Sequence, residues 1–343
     1  MGSVPGDHGE RDPALAALDA LTGGDRDHVA HVATLLEPVR YPDGTVLVHQ
    51  GDAPERFAVI VDGRVRIRRE EDGAARDLGE AGPGSVIGEI AMLRGTPRAA
   101  TATAVGDVTA LVGGMEAFEA LFAIPDAAAK LTTIATSRLA ANARPVEART
   151  PRGRPVRLRP LLASDRDDLA AAISTASERT LRMRFFTAGK LPPAVIDYLV
   201  DLDFVHRFAW VAADEGENGA GISRYVRTKD GPSAEFAVAV GDDHQRQGIG
   251  ATLLGAIAAA AEAAGIDTFT GDVLTDNRPM VALLNRLDAR WALAEPGVNT
   301  ATVAVAAMRS LIDDDLAAQL ADVARDIRSA AHAPHIDTSD PGG

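Results

Sequence analysis

Gly88-Glu89-Ile90-Ala91-Met92-Leu93-Arg94-Gly95-Thr96-Pro97-Arg98-Ala99-Ala100-Thr101 is the stretch whose reading decides the fold of the first half of this chain. It sets one acid, Glu89, at the start of a short apolar turn, and nine residues later a lone Arg98 follows a proline. A helix start offers free backbone N–H groups to an anion, and a guanidinium clamps a phosphate with two hydrogen bonds. An acid close by accepts hydrogen bonds from a sugar hydroxyl. A phosphate clamp beside a hydroxyl acceptor is what a small phosphosugar needs.

Working outward, residues 13–21 and 26–36 carry helical spacing of apolar residues. From Tyr41 the pattern changes to short alternating runs broken by Asp43-Gly44, Gly51-Asp52, Asp72-Gly73 and Gly82-Pro83-Gly84. Val59-Ile60-Val61 and Val65-Arg66-Ile67, flanking Asp62-Gly63, read as a hairpin. Repeated short strands with glycine corners indicate a small barrel or jelly roll. Helical spacing returns over residues 117–143, and the polar residues 1–12 and 333–343 are expected to be disordered.

The order helix, β roll, helix, together with the 88–101 stretch, resembles a cyclic-nucleotide-binding domain. The resemblance covers roughly residues 25–143 and includes the turn glycines Gly44, Gly51 and Gly63. It implies that Gly88, Glu89, Ile90 and Ala91 cover the ribose and phosphate, with Glu89 on the 2′-hydroxyl and Arg98 on the cyclic phosphate. The Pro97-Arg98-Ala99-Ala100-Thr101 ending is similar to that of the regulatory subunits of cAMP-dependent protein kinase. Some members carry Ser or Thr after the arginine, which adds a bond to the phosphate or to guanine. Ala99 cannot make it, so the implied ligand is cAMP.

The second half has a different pattern. Residues 155–161 read as a strand, followed by a helix capped near Ser164 or Asp165, a mixed stretch over 180–186 and a helix after Pro193. Strands follow at 208–213, 219–226 and 234–240, then a long helix at 248–264, a strand at 268–273, a helix at 279–287 and a strand at 302–307. The fold class expected is α+β, an N-terminal β-roll with flanking helices (13–144), a linker (145–154) and an α/β domain (155–310). A C-terminal helix over 311–332 carries Leu316, Leu320, Val323 and Ile327 at helical spacing; the stripe either packs on the sheet or forms a lid over the acceptor groove.

Gln245-Arg246-Gln247-Gly248-Ile249-Gly250 joins a strand to the long helix. Its glycines let backbone amides approach a ligand, and the helix N-terminus presents free N–H groups to a pyrophosphate. A dinucleotide-binding GxGxxG reading fails at its third glycine, which is Leu253. The Q/R-x-x-G-x-G/A pattern after Glu235-Phe236-Ala237-Val238-Ala239-Val240 is similar to the acetyl-CoA signature of the GNAT acetyltransferases. That resemblance, over about residues 154–308, implies that Val238, Ala239 and Val240 splay from the neighbouring strand and hold the pantetheine arm. Gln245 to Gly250 and Ala251 would hold the pyrophosphate, and Asn277 would bond near the thioester. Many members have a tyrosine seven residues after that asparagine as acid for the leaving thiolate; this chain has Leu284, and Asp288 stands where a glycine is usual.

An amine attacks a thioester only when neutral, and a lysine with pKa ~10.4 pays roughly 4 kcal/mol to deprotonate near pH 7. A carboxylate, direct or through one water, lowers that barrier. Glu235, ten residues before Gln245, stands where GNAT enzymes often place this base. Weaker candidates are His206 near the acceptor lysine, His244 capping a turn, and Arg184, which lines the acceptor site or anchors a helix end. Asp242-Asp243 lacks a third ligand for a metal, so no metal is expected.

A formal charge of −14 disfavours wrapping on nucleic acid, and the short cluster Arg149, Arg152, Arg154, Arg157 and Arg159 starts in the Pro/Gly-bearing linker and reads as solvated. The absence of cysteine excludes disulfides, thiolate catalysis and Cys-ligated zinc. No apolar run approaches the ~20 residues of a membrane span, so no membrane partner is expected and a cytoplasmic location is.

A cyclic-nucleotide domain ahead of a GNAT domain resembles the cAMP-regulated protein lysine acetyltransferases of mycobacteria and related actinobacteria, a match that extends to Arg138 and Asp165. It implies acetyl transfer from acetyl-CoA to lysines of acyl-adenylate-forming enzymes such as acetyl-CoA synthetase and of universal stress proteins, with cAMP as activator. A cAMP-gated small-amine N-acetyltransferase is the alternative. A cAMP-responsive transcription factor needs a basic helix-turn-helix after the sensor, which the acidic second half lacks.

Overall fold

The computed structural model describes residues 13–23, 26–71, 73–187, 191–214, 216, 218–229 and 231–331. The termini expected to be disordered lie outside them. The described residues form two compact units, one running to Ala135 and including Ala330 and Ala331, the other Thr136–Ser329.

In the first unit α1 (Pro13–Thr22) and α2 (Arg26–Thr34) precede β1 (Glu37–Tyr41), β2 (Val46–Val48), β3 (Phe57–Glu71), β4 (Ala74–Ala81), β5 (Val86–Ile87), α3 (Glu89–Arg94) and β6 (Thr101–Gly113). The sheet runs β1-β6-β3-β4, with β2 on β6 and β5 on β3. It curls around a small apolar interior of Ala58, Ile60, Val65, Ile87, Ala104, Val108 and Ala110. The hairpin expected at Asp62-Gly63 is not there: β3 runs straight through, paired to β6 on both sides of a register shift. Gly63 has φ 88°, and a Cβ on it would meet the Asp107 carbonyl at 2.4 Å and the Val108 Cα at 2.9 Å. The glycine serves a bulge where two strands press together, not a reversal.

The helix expected over 117–143 is two: α4 (Met115–Phe122) and α5 (Pro125–Asn142). Pro125 lacks the N–H that would continue α4 but suits the first position of α5. The unit boundary at Ala135 falls within α5.

The second unit holds β7 (Val146–Arg149), β8 (Pro155–Pro160), α6 (Arg166–Thr175), α7 (Glu178–Phe185), α8 (Pro193–Val200), β9 (Arg207–Ala213), β10 (Gly219–Arg227) and β11 (Ser233–Val240). Then come α9 (Ile249–Ala263), β12 (Thr268–Leu274), α10 (Arg278–Asn285), β13 (Arg290–Glu295), β14 (Val298–Ala304), α11 (Val305–Arg309) and α12 (Asp314–Arg328). One eight-stranded sheet runs β13-β14-β12-β11-β10-β9-β8-β7. Its strand pairs are antiparallel except β11 with β12. Residues 252–261 of α9 are all buried, as an alanine-rich helix with neighbours on every side must be. The buried Trp210 indole N–H donates to its Ala256 carbonyl at 3.1 Å.

Several expectations are corrected here. The supposed linker 145–154 contains β7, paired to β8, so Arg149 lies on the edge strand, Arg152 and Arg154 in the turn that follows, and Arg157 and Arg159 on β8. The mixed stretch 180–186 lies mostly in α7. The last strand is β14, after which the chain turns helical at Val305, and β13 was not foreseen. The C-terminal stripe packs chiefly on α9 and not on the sheet: Leu316, Leu320 and Ile327 are buried in the core, while Val323 is half-buried.

Replacing Gly63 with alanine forces a side chain into the Asp107 carbonyl at a positive φ. A loss of about 1–3 kcal/mol is expected, read as a lower urea midpoint for the unfolding transition of the sensor unit.

Candidate sensor pocket and acyl-transfer cavity

Gly88 ends β5 and caps α3 with φ 91°, which turns the chain sharply enough to aim α3 back across the roll. Behind it, Glu89 and Arg98 are buried at 1% and 5% exposure, in a unit where most charged groups face water. Arg98 reaches this depth because its backbone is clamped: its N–H donates to the Asp52 carbonyl at 2.8 Å and its own carbonyl accepts from Gly51 at 2.9 Å. The guanidinium donates to the Gly88 carbonyl at 2.9 Å and to the Arg56 carbonyl. Burial pulls its pKa below the usual arginine value, while Glu89, Asp52 and Glu55 push the other way. A Cβ on Gly88 would stand 2.5 Å from Arg98 Nη1, so glycine is needed there on two counts. Ile90 is half-buried, Ala91 buried and Ala99 exposed. These residues fit a cyclic phosphate: a desolvated cation now resting on neutral carbonyls would gain an anion, beside an acid able to accept from a hydroxyl. Arg138 falls in the second unit, on α5, rather than in the unit that carries these residues.

In the second unit β11 and β12 pair only at Ser233–Thr268, Ala234–Phe269 and Glu235–Thr270. Beyond Glu235 they part. β11 stays on β10 as far as Val240, and β12 stays on β14 as far as Leu274. The β12-facing backbone edge of Ala237, Val238, Ala239 and Val240 is thereby left without a strand partner. Phe236 fills the opening's base, where a Cβ on Gly271 would meet its ring at 2.7 Å. The gap widens into a cavity of about 460 Å³ lined among others by Glu235, Ala237, Val238, Asp272, Asn277 and Met280. Glu235 is exposed.

At the outer end of β11 the chain makes one 3₁₀ turn and enters the Gln245–Gly250 loop. Gly248 caps α9 with φ 88° and no side-chain cap, which leaves the helix's first N–H groups free. Arg246 also has a positive φ, 60°. Residues 150–154, between β7 and β8, hold this loop. Buried Thr150 donates to the Gln247 carbonyl at 2.8 Å, Arg154 donates to the Gln247 side chain, and Pro151 and Thr150 leave only 3.1 Å for a Cβ on Gly248. Gln245 donates to Thr180 at 2.9 Å and to the Val240 carbonyl at 3.2 Å. An unpaired strand edge running into a free helix N-terminus fits an extended amide-bearing arm ending in a pyrophosphate.

The remaining candidates separate cleanly. Asn277 lines the cavity while its side chain caps α10, accepting from Met280 at 3.4 Å. Leu284 is wholly buried, and Asp288 adopts φ 55°, which explains why glycine suits that position. Arg184 lines the cavity and stacks on Phe185; burial and the nearby Arg224 hold its pKa down at about 10. His206 is exposed and paired to Asp203 at 3.3 Å, outside the cavity lining. Asp242 holds the start of α7, accepting from the Ser177 amide and hydroxyl at 2.8 Å and from Thr180 at 2.7 Å. Asp165 takes both Arg159 nitrogens, at 2.7 and 2.8 Å, and the Leu162 amide. Two cavity residues, Arg224 and Tyr198, were not foreseen. Arg224 in the expected strand 219–226 carries no local signal of burial, since a strand arginine is normally exposed. Among the described residues no group of three or more His, Cys, Asp or Glu could hold a metal, and no helix is long and apolar enough to cross a membrane.

Fold and sites define a nucleotide-sensing roll joined to an N-acyltransferase. A family model described as "Cyclic nucleotide-binding domain" matches residues 38–124, and one described as "Acetyltransferase (GNAT) family" matches residues 177–288. Acetyltransferase Pat of Mycolicibacterium smegmatis is 35% identical over 317 residues, 91% of this chain and 95% of the relative. A cAMP-dependent protein kinase regulatory subunit of Dictyostelium discoideum is 40% identical over 27% of this chain and 29% of its own length. A solved cAMP-binding acyltransferase from Mycobacterium smegmatis is 31% identical, with a TM-score of 0.48, over 93% of this chain and 98% of its own. The chain belongs to the Pat family of acetyltransferases, in which a cyclic-nucleotide-binding domain precedes a GNAT domain. cAMP and acetyl-CoA are the ligands that go with this membership.

Thr150→Val removes the hydroxyl that holds the Gln247 carbonyl while keeping the shape. A rise of about tenfold in the acetyl-CoA Kd is expected by calorimetry, with cAMP binding unchanged.

Proposed function

We propose that this chain is a cAMP-activated protein lysine acetyltransferase, moving acetyl from acetyl-CoA to the ε-amine of a lysine on acyl-adenylate-forming enzymes such as acetyl-CoA synthetase, or on universal stress proteins. The observation that carries the reading is the end of β11–β12 pairing at Glu235. It sets a carboxylate at the mouth of a row of free amides. Val238, Ala239 and Val240 hold the pantetheine arm, and the amides of Gln247, Gly248, Ile249, Gly250 and Ala251 take the pyrophosphate, with Gln245 and Arg246 shaping the turn. Asn277 stands across the cavity beside the thioester.

An incoming ammonium gives up its proton to Glu235, directly or through one water, and the neutral amine attacks the thioester carbon. The backbone N–H groups at the start of the splay are placed to receive the developing oxyanion. The carbon–sulfur bond then breaks. A thiol with pKa ~8.5 is a tolerable leaving group near neutral pH, so Leu284 in place of a tyrosine does not block the step. In the sensor unit, Arg98 takes the cyclic phosphate and Glu89 the ribose hydroxyl, with Gly88, Ile90 and Ala91 lining the pocket and Ala99 disfavouring cGMP. cAMP activates to the extent that it binds the active state more tightly, typically by ~1–3 kcal/mol, or about 5- to 150-fold.

The test incubates the full chain with acetyl-CoA and purified acetyl-CoA synthetase, with and without cAMP, and maps acetyl-lysine by mass spectrometry. Modification that rises with cAMP is expected; none in either condition would overturn the reading. Glu235→Gln should lower kcat about 10²- to 10⁴-fold while the acetyl-CoA Kd stays put. Arg98→Gln should abolish cAMP binding and leave only basal transfer.

A further inference from the structure

Arg224 lies on β10 directly opposite Ala237 of β11, where the free Ala237–Val240 edge begins. Its residue exposure is 3%, and none of its three guanidinium nitrogens, all buried, makes a hydrogen bond of normal geometry; the Tyr198 hydroxyl and Asp201 are the groups that favour its charge, and Arg207 opposes it. Its plane lies over the Tyr198 ring at 4.7 Å, and Arg184 enters the same cavity from α7. Two carboxylates share the wall. Asp272 accepts from Thr300 at 2.6 Å, and Glu235 sits diagonally from Arg224 across the strand pair. Among the described residues, no carboxylate is within ion-pairing distance of Arg224 or Arg184. A buried guanidinium without an ion pair costs stability, and five forked donors match a carboxylate. Such a group persists where a ligand completes it.

Depth decides what that ligand is. The neighbouring cation on α7, Arg182, lies outside the cavity lining and is already paired inside the chain, to Asp276. Arg224 stands on the sheet floor, beside the amides that hold the acyl thioester. Side chains flanking an acceptor lysine meet the rim; only the lysine tip and the acyl group reach the floor. The lysine tip is a cation, and two arginines repel it.

We propose that Arg224, supported by Arg184, is a carboxylate subsite for the acyl group, and that the enzyme accepts dicarboxylic acyl thioesters of CoA of the succinyl class as donors. The inference rests on the cavity being the acyl-transfer site. The step balances as for acetyl: the amine nitrogen bonds to the acyl carbon and its proton goes to Glu235. The carbon–sulfur pair leaves on the CoA thiolate, and the lysine becomes a succinyl amide.

The experiment uses the full chain at saturating cAMP with one acceptor protein, acetyl-CoA or succinyl-CoA as donor, and calorimetry of both donors. Succinyl transfer is expected, with the ratio of succinyl to acetyl kcat/KM falling about 30-fold in Arg224→Met and partly recovered in Arg224→Lys. Arg224→Met should melt no lower than the parent, because it removes an unpaired buried charge; a collapse of its melting temperature would mark Arg224 as structural and overturn the proposal. So would an equal loss for both donors, or acetyl transfer without succinyl transfer or binding. An Arg224 dependence that appears with acetyl-CoA only when a glutamate flanks the acceptor lysine would assign the subsite to the acceptor and likewise overturn it. If neither donor is transferred yet succinyl-CoA still binds more tightly than acetyl-CoA through Arg224, the function proposed above fails and the subsite stands. No CoA binding at all would overturn both.

Discussion

Two neighbouring strands that begin side by side and then part company set the terms for everything in the second unit. β11 and β12 share three residue pairs and then follow different partners, β11 on β10 and β12 on β14. A parallel ladder is the least costly to interrupt, since its bonds are slanted and individually weaker. Phe236 and the side-chain-free Gly271 make the interruption stable, because the ring occupies space that a Cβ at 271 would need. The backbone groups freed by the opening are costly to leave unmade. That cost is what the amide-rich ligand proposed for this edge would offset. The order of residues along β11 then arranges the chemistry, with the carboxylate on the last paired residue and the amides on those that follow.

The sensor unit solves a related problem by a different route. There the exposed backbone is not an opened strand but the short turn at Gly88, and the cation is kept inside by carbonyls of Gly88 and Arg56. Both units place glycine with φ near 90° where the chain must turn at a helix start, Gly88 before α3 and Gly248 before α9. Both brace that turn with a side chain from outside it, the Arg98 guanidinium on the Gly88 carbonyl in one and the Thr150 hydroxyl on the Gln247 carbonyl in the other. A ligand loop built this way is set by tertiary contacts and not by its own sequence alone.

That dependence explains which parts were readable beforehand. The 88–101 and 245–250 stretches, Glu235 ten residues before Gln245, and the long helix α9 are local patterns, and local patterns carry their own geometry. Asp62-Gly63 misled because the same positive φ serves a turn or a bulge, and only the approach of Asp107 decides between them. Residues 145–154 read as a linker because β7 is four residues long, and its partner and the loop it supports are far apart in sequence. Arg224 was invisible for the same reason. A strand arginine is normally exposed, and its burial follows from α8 and β11 closing over it. The sequence left open whether α12 packs on the sheet or covers a groove, since an amphipathic stripe does not say which surface it seeks; α9 is that surface.

The position of α12 bears on how the protein is made. Its Leu320 and Ile327 complete the core around α9, and Arg328 donates to the Ala263 carbonyl at 3.0 Å, capping the far end of that helix. By contrast, every strand of the sensor sheet has been laid down by Gly113. A chain emerging from the ribosome at about 5–20 residues per second therefore has its sensor sheet complete many seconds before its transferase can close its core. Regulation precedes activity in the order of synthesis: a nascent or prematurely ended chain carries the receptor for its signal before it can modify anything.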